Sequence, residues 1–306
     1  MNVGANTMTL AAHSLGFTII PEGKCTFPVR VMNHLKPTAI VGSVFKLLRL
    51  ARRMEEEGLD PQESSITKLI VGGESFAEES RRYLDEVWGV PCYNTYGSTE
   101  GTMCGECTER AGLHVPEDLV HMDVYDPKMQ DFVSDGTQGR IVLTTLLPVG
   151  ERTGNLLINY DTEDLTTVLT RDRCPCGRTH MRIDNPRREA ETIYIADVPL
   201  NRVDIEKGVF QRENMEYLSG EYEAFVYFDP DAGKAFLRVS LETHDPEGCN
   251  QKLVKENFLE ALFRERPALG RLHSEGYLEF VYHFPPEGDL ELYRLKGRPK
   301  RLVDRR

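Results

Sequence analysis

The chain has 306 residues, room for two domains of ordinary size at about 150 residues each. Hydrophobic residues make up 40% and charged residues 28%, the balance of an ordinary globular protein, and no apolar run approaches the ~20 residues of a bilayer-spanning helix. The net charge of −12 argues against a general binder of nucleic acid or membranes, and the N-terminus lacks the basic start and apolar core of a secretory signal, so the chain reads as cytoplasmic.

In chain order, a short apolar run, Ala39-Ile40-Val41, passes into a helical pattern that reaches residue 57. Phe45, Leu47, Leu48, Leu50, Ala51 and Met54 gather on one side, with Arg49, Arg52, Arg53 and Glu55 to Glu57 largely opposite. Gly58 and Pro61 end it. Residues 68–71 read as a buried strand stopping at Gly72-Gly73, residues 77–88 as a helix, and residues 91–95 as a further strand. Strand, helix, strand in this order predicts a parallel α/β sheet.

Beyond Gly101 the pattern turns to short strands, clearest at residues 139–145 and 155–160. A Pro- and Arg-rich stretch at residues 184–188 interrupts the chain. Residues 222–228 and 235–241 then pair around the turn at 229–233, and a helix near 249–264 and a strand at 277–284 follow. The expected architecture is an α/β large domain over residues 1–186 and a smaller α+β C-terminal domain over 187–306.

Three segments carry candidate chemistry. Gly72-Gly73-Glu74 closes a strand where backbone can approach a ligand. Tyr96-Gly97-Ser98-Thr99-Glu100 offers an aromatic plate, small hydroxyls and a carboxylate. Residues 159–164, Asn-Tyr-Asp-Thr-Glu-Asp, are expected to end a third strand with three acids. A ring can stack on a base, hydroxyls can bond phosphate, and carboxylates can hold a ribose diol or Mg²⁺.

The seven cysteines are Cys25, Cys92, Cys104, Cys107, Cys174, Cys176 and Cys249. An odd count without an export signal argues against a disulfide framework, and close-set cysteines read as metal ligands. Cys107, His114, Cys174 and Cys176 supply three thiolates and an imidazole, a set suited to tetrahedral structural zinc. Reduced structural cysteines are the other reading, and Cys104 could replace Cys107. The last thirteen residues hold seven basic side chains, fit for a solvated end, a self-docking arm or an anion site.

Together and in this order, these segments resemble the adenylate-forming superfamily, and within it the branch containing phenylacetate–CoA ligase. Gly112-Leu-His-Val-Pro-Glu-Asp118 and Cys174-Pro-Cys-Gly-Arg-Thr179 are similar to that branch's own signatures. The resemblance implies that Gly72, Gly73 and Glu74 form an adenine-side loop. It implies Tyr96 against adenine, Thr99 toward phosphate, Glu100 on Mg²⁺ and Asp164 on ribose, with Gly97 and Ser98 in the same nucleotide-binding motif. Arg187 resembles the Arg of the hinge that precedes a mobile C-terminal domain, although a charged surface loop reads nearly as well. Residues 294–304 resemble the closing motif with its catalytic lysine, aligning Arg298, flanked by Lys296 and Lys300, with that position. Branch members share the cysteine and histidine positions, which favours zinc.

The family's Ser/Thr/Gly-rich phosphate loop is not found, so the chain is expected to lack the N-terminal part of the large domain, and turnover is in question. Residues 99–107, the altered hinge and the Arg-rich end look most like coenzyme F-390 synthetases. The implied reaction is Mg²⁺-dependent transfer of a nucleotidyl group from ATP or GTP to the phenolic hydroxyl of coenzyme F-420. The alternatives are an aryl-CoA ligase using an aryl carboxylate, and a nucleotide-binding remnant. The expected partner is a small-molecule substrate, with no nucleic acid and no membrane; a homodimer is left open.

Overall fold

The computed structural model describes residues 3–21, 26–99, 101–146, 155–295 and 298–306. The chain divides into two compact units, Met1–Glu74 with Asp85–Arg188, and Ser75–Leu84 with Glu189–Arg306. Among the described residues no helix is long and apolar enough to cross a membrane.

The first unit opens with helices α1 (Val3–Ser14) and α2 (Pro28–Leu35), followed by β1 (Ala39–Gly42), α3 (Val44–Glu56) and β2 (Lys68–Gly72). Helix α4 (Glu78–Trp88) starts among the residues of the second unit and ends in the first, leading to β3 (Cys92–Ser98). Strands β1, β2 and β3 pair in parallel, Gly42 opposite Val71 and Gly72 opposite Thr95. The apolar stripe predicted on α3 is its buried face: Val44, Phe45, Leu47, Leu48, Ala51 and Met54 leave solvent. The Trp88 indole donates to Leu47 O at 3.3 Å. Burying six such side chains is worth on the order of 10 kcal/mol, which roughly offsets the backbone ordering of one short helix.

After β3 the sheet turns antiparallel. Its later strands are β4 (Thr102–Gly105), β5 (Leu113–His114), β6 (Val120–Asp126), β7 (Asp131–Phe132), β8 (Gln138–Thr145), β9 (Tyr160–Thr170), β10 (Arg182–Ile183) and β11 (Arg187–Arg188). The strand order is β1-β2-β3-β4-β5-β10-β9-β8-β6-β7, with β11 pairing β9 alongside. One face closes over Leu113, Val115, Met122, Ile141, Leu143 and Ile183.

The strand expected at residues 155–160 is a correction. Residues 155–159 form no strand, Asn159 taking a left-handed φ of 49° and Leu156 and Ile158 being exposed, and only Tyr160 enters one, as the first residue of β9. The segment is instead strapped to the end of β8. Thr145 Oγ1 accepts from Leu157 N at 2.9 Å and donates to Asn155 O at 2.6 Å, and Thr144 Oγ1 accepts from Asn159 N at 3.0 Å. The acids at 161–164 therefore begin a strand, β9, rather than ending one.

The second unit holds a hairpin of β12 (Ile193–Ile195) and β13 (Val198–Leu200), turned by Ala196 and Asp197 at positive φ, and then α5 (Arg202–Val209). Asn201 and Asp204 form a reciprocal capping box at the start of α5. The predicted hairpin over 222–241 is present and longer, as β14 (Leu218–Asp229) and β15 (Lys234–Thr243). Helices α6 (Gln251–Glu265) and α7 (Pro267–Ser274), β16 (Leu278–His283), the short pair β17 (Arg294–Leu295) and β18 (Arg298–Pro299), and β19 (Leu302–Asp304) complete it. Its main sheet runs β16-β15-β14-β19, and β19 lies parallel to β14.

Candidate nucleotide site and metal centre

Strand β2 ends at Gly72, whose position admits no side chain: a Cβ there would meet Thr95 Oγ1 and lie 2.6 Å from Thr95 O. Gly73 follows at φ +82° with open space around it, so the backbone turns outward over an unfilled region. Thr95 Oγ1 donates to Val71 O at 3.0 Å, tying β3 to β2 at this corner. Glu74 is half-buried.

From this corner β3 carries Tyr96, Gly97 and Ser98 into a tight reversal, with Ser98 opposite Thr102 on β4. Thr99 is exposed at the turn, and Glu100 lies outside the described residues. The Tyr96 ring packs against the sheet core, and its hydroxyl donates to Asp164 Oδ2 at 2.6 Å. Burial pushes the Tyr96 phenol well above its ordinary range, and the Asp164 carboxylate pushes it further, so it stays a neutral donor. Ser98 Oγ is buried without a hydrogen-bond partner among the described residues, an orphan that a ligand oxygen would satisfy.

Asp164 reaches Tyr96 because β9 bulges. Arg140 on β8 lies opposite Leu165, whereas Val142 lies opposite Asp161, so extra residues of β9 are looped out between. Glu163 takes φ 59° in this bulge, and its amide is bonded to Asp161 Oδ1 at 2.9 Å. Thr162 Oγ1 donates to Ile141 O at 3.0 Å and accepts from Asp164 N at 3.2 Å. Asp161 pairs with Arg140 at 3.0 Å. Arg187 lies on β11 opposite Leu165, and the neighbouring Arg188 has its Nε 3.9 Å from Asp164 Oδ1. Gly72, Gly73, Tyr96, Ser98, Asp164 and Arg187 thus all belong to the first unit. Arg298 belongs to the second, in β18, and Lys296 lies outside the described residues.

The cysteines converge as their types suggested. Cys107, His114, Cys174 and Cys176 place their ligand atoms within 4.8 Å of one another. Cys107 Sγ lies 3.7 Å from Cys174 Sγ, and Cys176 Sγ lies 3.6 Å from His114 Nε2. Tetrahedral zinc with bonds of about 2.3 Å to sulfur and 2.0 Å to nitrogen separates two sulfurs by about 3.8 Å and a sulfur and nitrogen by about 3.6 Å. The set therefore fits the ion. Cys104 is not part of it; it is buried in the sheet core with its thiol against Thr102 Oγ1. Cys25 lies outside the described residues.

The loop carrying Cys174 and Cys176 is a tight turn. Gly177 N donates to Cys174 O, Cys174 N donates to Arg178 O, and Gly177 adopts φ +96°. The Arg178 backbone, bonded to the Cys176 thiolate, brings Cys176 down to about 7. Burial raises Cys107 and lowers His114, leaving the imidazole neutral and ready to donate a lone pair.

Residues 2–149 match the family described as AMP-binding enzyme. The chain is 33% identical over 178 residues to the phenylacetate-coenzyme A ligase of Thermus thermophilus, covering 56% of this chain and 39% of that one. It is 27% identical over 254 residues to the Pseudomonas putida enzyme of the same name, covering 80% and 56%. It therefore spans about half the length, or less, of these relatives. Among solved structures, a 2-hydroxyisobutyryl-CoA ligase bound to an acyl-AMP superposes with TM-score 0.72 at 22% identity, over 94% of this chain and 59% of that one. A benzoate CoA ligase from Burkholderia xenovorans superposes at 0.54 with 15% identity, over 90% and 52%. These matches give the coenzyme F-390 synthetase resemblance no support and favour the aryl-CoA ligase expectation.

Proposed function

We propose that this chain, which matches the AMP-binding enzyme family over residues 2–149 and is similar to phenylacetate–CoA ligases, is the nucleotide-recognising part of an ATP-dependent, adenylate-forming ligase for an aryl carboxylate. The observation that carries this reading is the Asp164 carboxylate held at Tyr96 of the nucleotide motif, on the strand next to the open Gly72-Gly73 turn. In the proposed reaction a carboxylate oxygen of the acid attacks the α-phosphorus of ATP, pyrophosphate leaves, and an acyl-adenylate forms. The thiol of coenzyme A then attacks the acyl carbon, and AMP leaves.

Asp164 takes the ribose hydroxyls as a charged acceptor, and Arg187 contacts the same sugar from β11. Gly72, Gly73 and Glu74 line the adenine side; Gly97, Ser98 and Thr99 face the phosphates. Arg298 and Lys296 supply positive charge where it offsets the developing charge at the α-phosphate, from a C-terminal unit that acts as the mobile domain. Magnesium held by Glu100 would neutralise phosphate charge. Zinc held by Cys107, His114, Cys174 and Cys176 would be structural, since four protein ligands leave no open position.

The test is incubation of the chain with ATP, Mg²⁺, phenylacetate and coenzyme A, following pyrophosphate and thioester. Expected is phenylacetyl-CoA formation that is lost in Asp164→Ala. A parallel incubation with coenzyme F-420 replaces the acid and thiol. Pyrophosphate release there, without thioester in the first, would overturn the ligase reading in favour of nucleotidyl transfer. Nucleotide binding with no pyrophosphate from either, also in a chain extended to the relatives' length, would make it a binding remnant.

A further inference from the structure

We propose that Glu223 is a positioning residue that grips the basic hairpin β17–β18 by its neck, through the backbone amide of Tyr293. The inference rests on the ligase reading only for what the hairpin does, not for how it is held.

Strand β14 buries two acids two residues apart, Glu221 and Glu223, each less than 10% exposed. A carboxylate removed from water is costly unless strong donors satisfy it. Both find their partners in the segment between β16 and β19. Glu223 Oε1 accepts from Tyr293 N at 2.5 Å, and Glu221 Oε2 accepts from Arg301 Nη2 at 2.6 Å. Arg301 also donates to Tyr222 O at 3.0 Å and is 3% exposed. A third buried acid, Glu242 on β15, accepts from Gly288 N at 3.0 Å, earlier in the same segment.

Tyr293 and Arg301 flank the hairpin, in which Arg294 lies opposite Pro299 and Leu295 opposite Arg298. Its neck is closed by Lys300 N donating to Tyr293 O at 2.8 Å, and Lys300 Nζ reaches Glu191 Oε1 at 2.7 Å. A ladder this short does not fix its own orientation. The placement of the β17–β18 backbone ladder therefore follows from where the neck is bolted. On one side that bolt is a single charge-assisted bond from a main-chain amide, Tyr293 N to Glu223, so the grip itself uses no basic side chain.

Glu223→Leu and Glu223→Gln decide the point, because glutamine keeps an oxygen that accepts from Tyr293 N and leucine does not. Expected for E223L is a fall of about tenfold or more in kcat for pyrophosphate release, with KM for ATP within about twofold of wild type, and near-wild-type kinetics for E223Q. Limited trypsin digestion gives a readout that needs no turnover. Cleavage after Arg294 and Lys296 should rise about tenfold in E223L, as expected for one lost charge-assisted bond, and stay at the wild-type rate in E223Q. Should E223L not fold, Tyr293→Pro removes the same bond from the donor side. No pyrophosphate release from the wild-type chain, nor from one extended to the relatives' length, defeats the ligase reading and leaves the digestion to decide the grip. Unchanged cleavage in the folded variant that lacks the bond, or E223Q as impaired as E223L, overturns the proposal.

Discussion

Tyr96 and Asp164 are 68 residues apart in sequence and joined by a 2.6 Å hydrogen bond from phenol to carboxylate. The bond links the nucleotide motif at the end of β3 to the bulge in β9, so the carboxylate assigned to ribose is aimed before any ligand arrives. Asp164→Ala should weaken ATP binding about 10- to 100-fold, the worth of a hydrogen bond to a charged group, with little change in fold. Tyr96→Phe should cost about 1–3 kcal/mol of stability by leaving a mostly buried carboxylate short of a donor. Equilibrium dialysis with ATP and urea unfolding read these two effects separately. Wild-type affinity in Asp164→Ala would mean that ribose is held elsewhere.

The two glycines that close β2 should respond differently to alanine. At Gly72 the new Cβ meets main-chain and side-chain oxygens of Thr95. Backbone cannot yield there without parting β2 from β3, so Gly72→Ala should destabilise by about 1–3 kcal/mol and weaken nucleotide binding too. At Gly73 nothing lies within 4 Å, and the cost is only that of φ +82° for an L-residue, about 1–2 kcal/mol. Urea midpoints with dialysis separate them. A neutral Gly72→Ala would refute the close-approach account.

Much of the fold was legible because its signals are local. The apolar run at 68–71 before two glycines, the one-sided stripe from Phe45 to Met54 and the turn at 229–233 each declare an element within a dozen residues. Residues 155–159 hold an apolar run without forming a ladder, because threonine hydroxyls at the end of β8 satisfy their backbone. Helix α5 escaped because its buried Asp204 and Glu206 look like surface residues in sequence. The Arg140–Asp161 pair and the unpartnered Ser98 hydroxyl depend on a bulge that no periodicity announces. Glu221 and Glu223 did carry a signal: two acids on one face of an otherwise apolar strand.

Glu206 shows why Ser75–Leu84 groups with the C-terminal residues. The side chain is fully buried and accepts from Ala77 N at 2.9 Å, from the Tyr222 hydroxyl at 3.0 Å and from Ser80 Oγ at 3.4 Å, and it pairs with Arg202 Nε at 3.0 Å. Glu206→Leu takes one acceptor away from an Arg, a phenol and a backbone amide together, and should cost about 3–5 kcal/mol. Tyr222→Phe removes one bond of the set and should cost about 1–2 kcal/mol. Thermal unfolding with both variants checks the order. A Leu variant as stable as wild type would show that packing, not this network, holds the segment.

The cysteine cluster makes the sharpest chemical prediction. Purified without chelator, the chain should carry one zinc per molecule by elemental analysis, and Cys107→Ser or Cys174→Ser should lose it. Binding requires thiolates, so the ion displaces protons and its affinity must fall with falling pH. The metal-free protein has a sign of its own. Cys176 is held down to about 7 by the Arg178 backbone, so its favourable contribution is present above the ordinary thiol range and disappears as pH drops through about 7. Cys107 runs the other way, raised by burial: without metal, its ionisation above the ordinary thiol range works against the fold. Metal should therefore raise the melting temperature most at alkaline pH, where it neutralises a buried thiolate, and least near pH 6. Melting curves of chelated and zinc-loaded chain across that range measure the difference, and a gap that widens toward acid would contradict thiolate ligation.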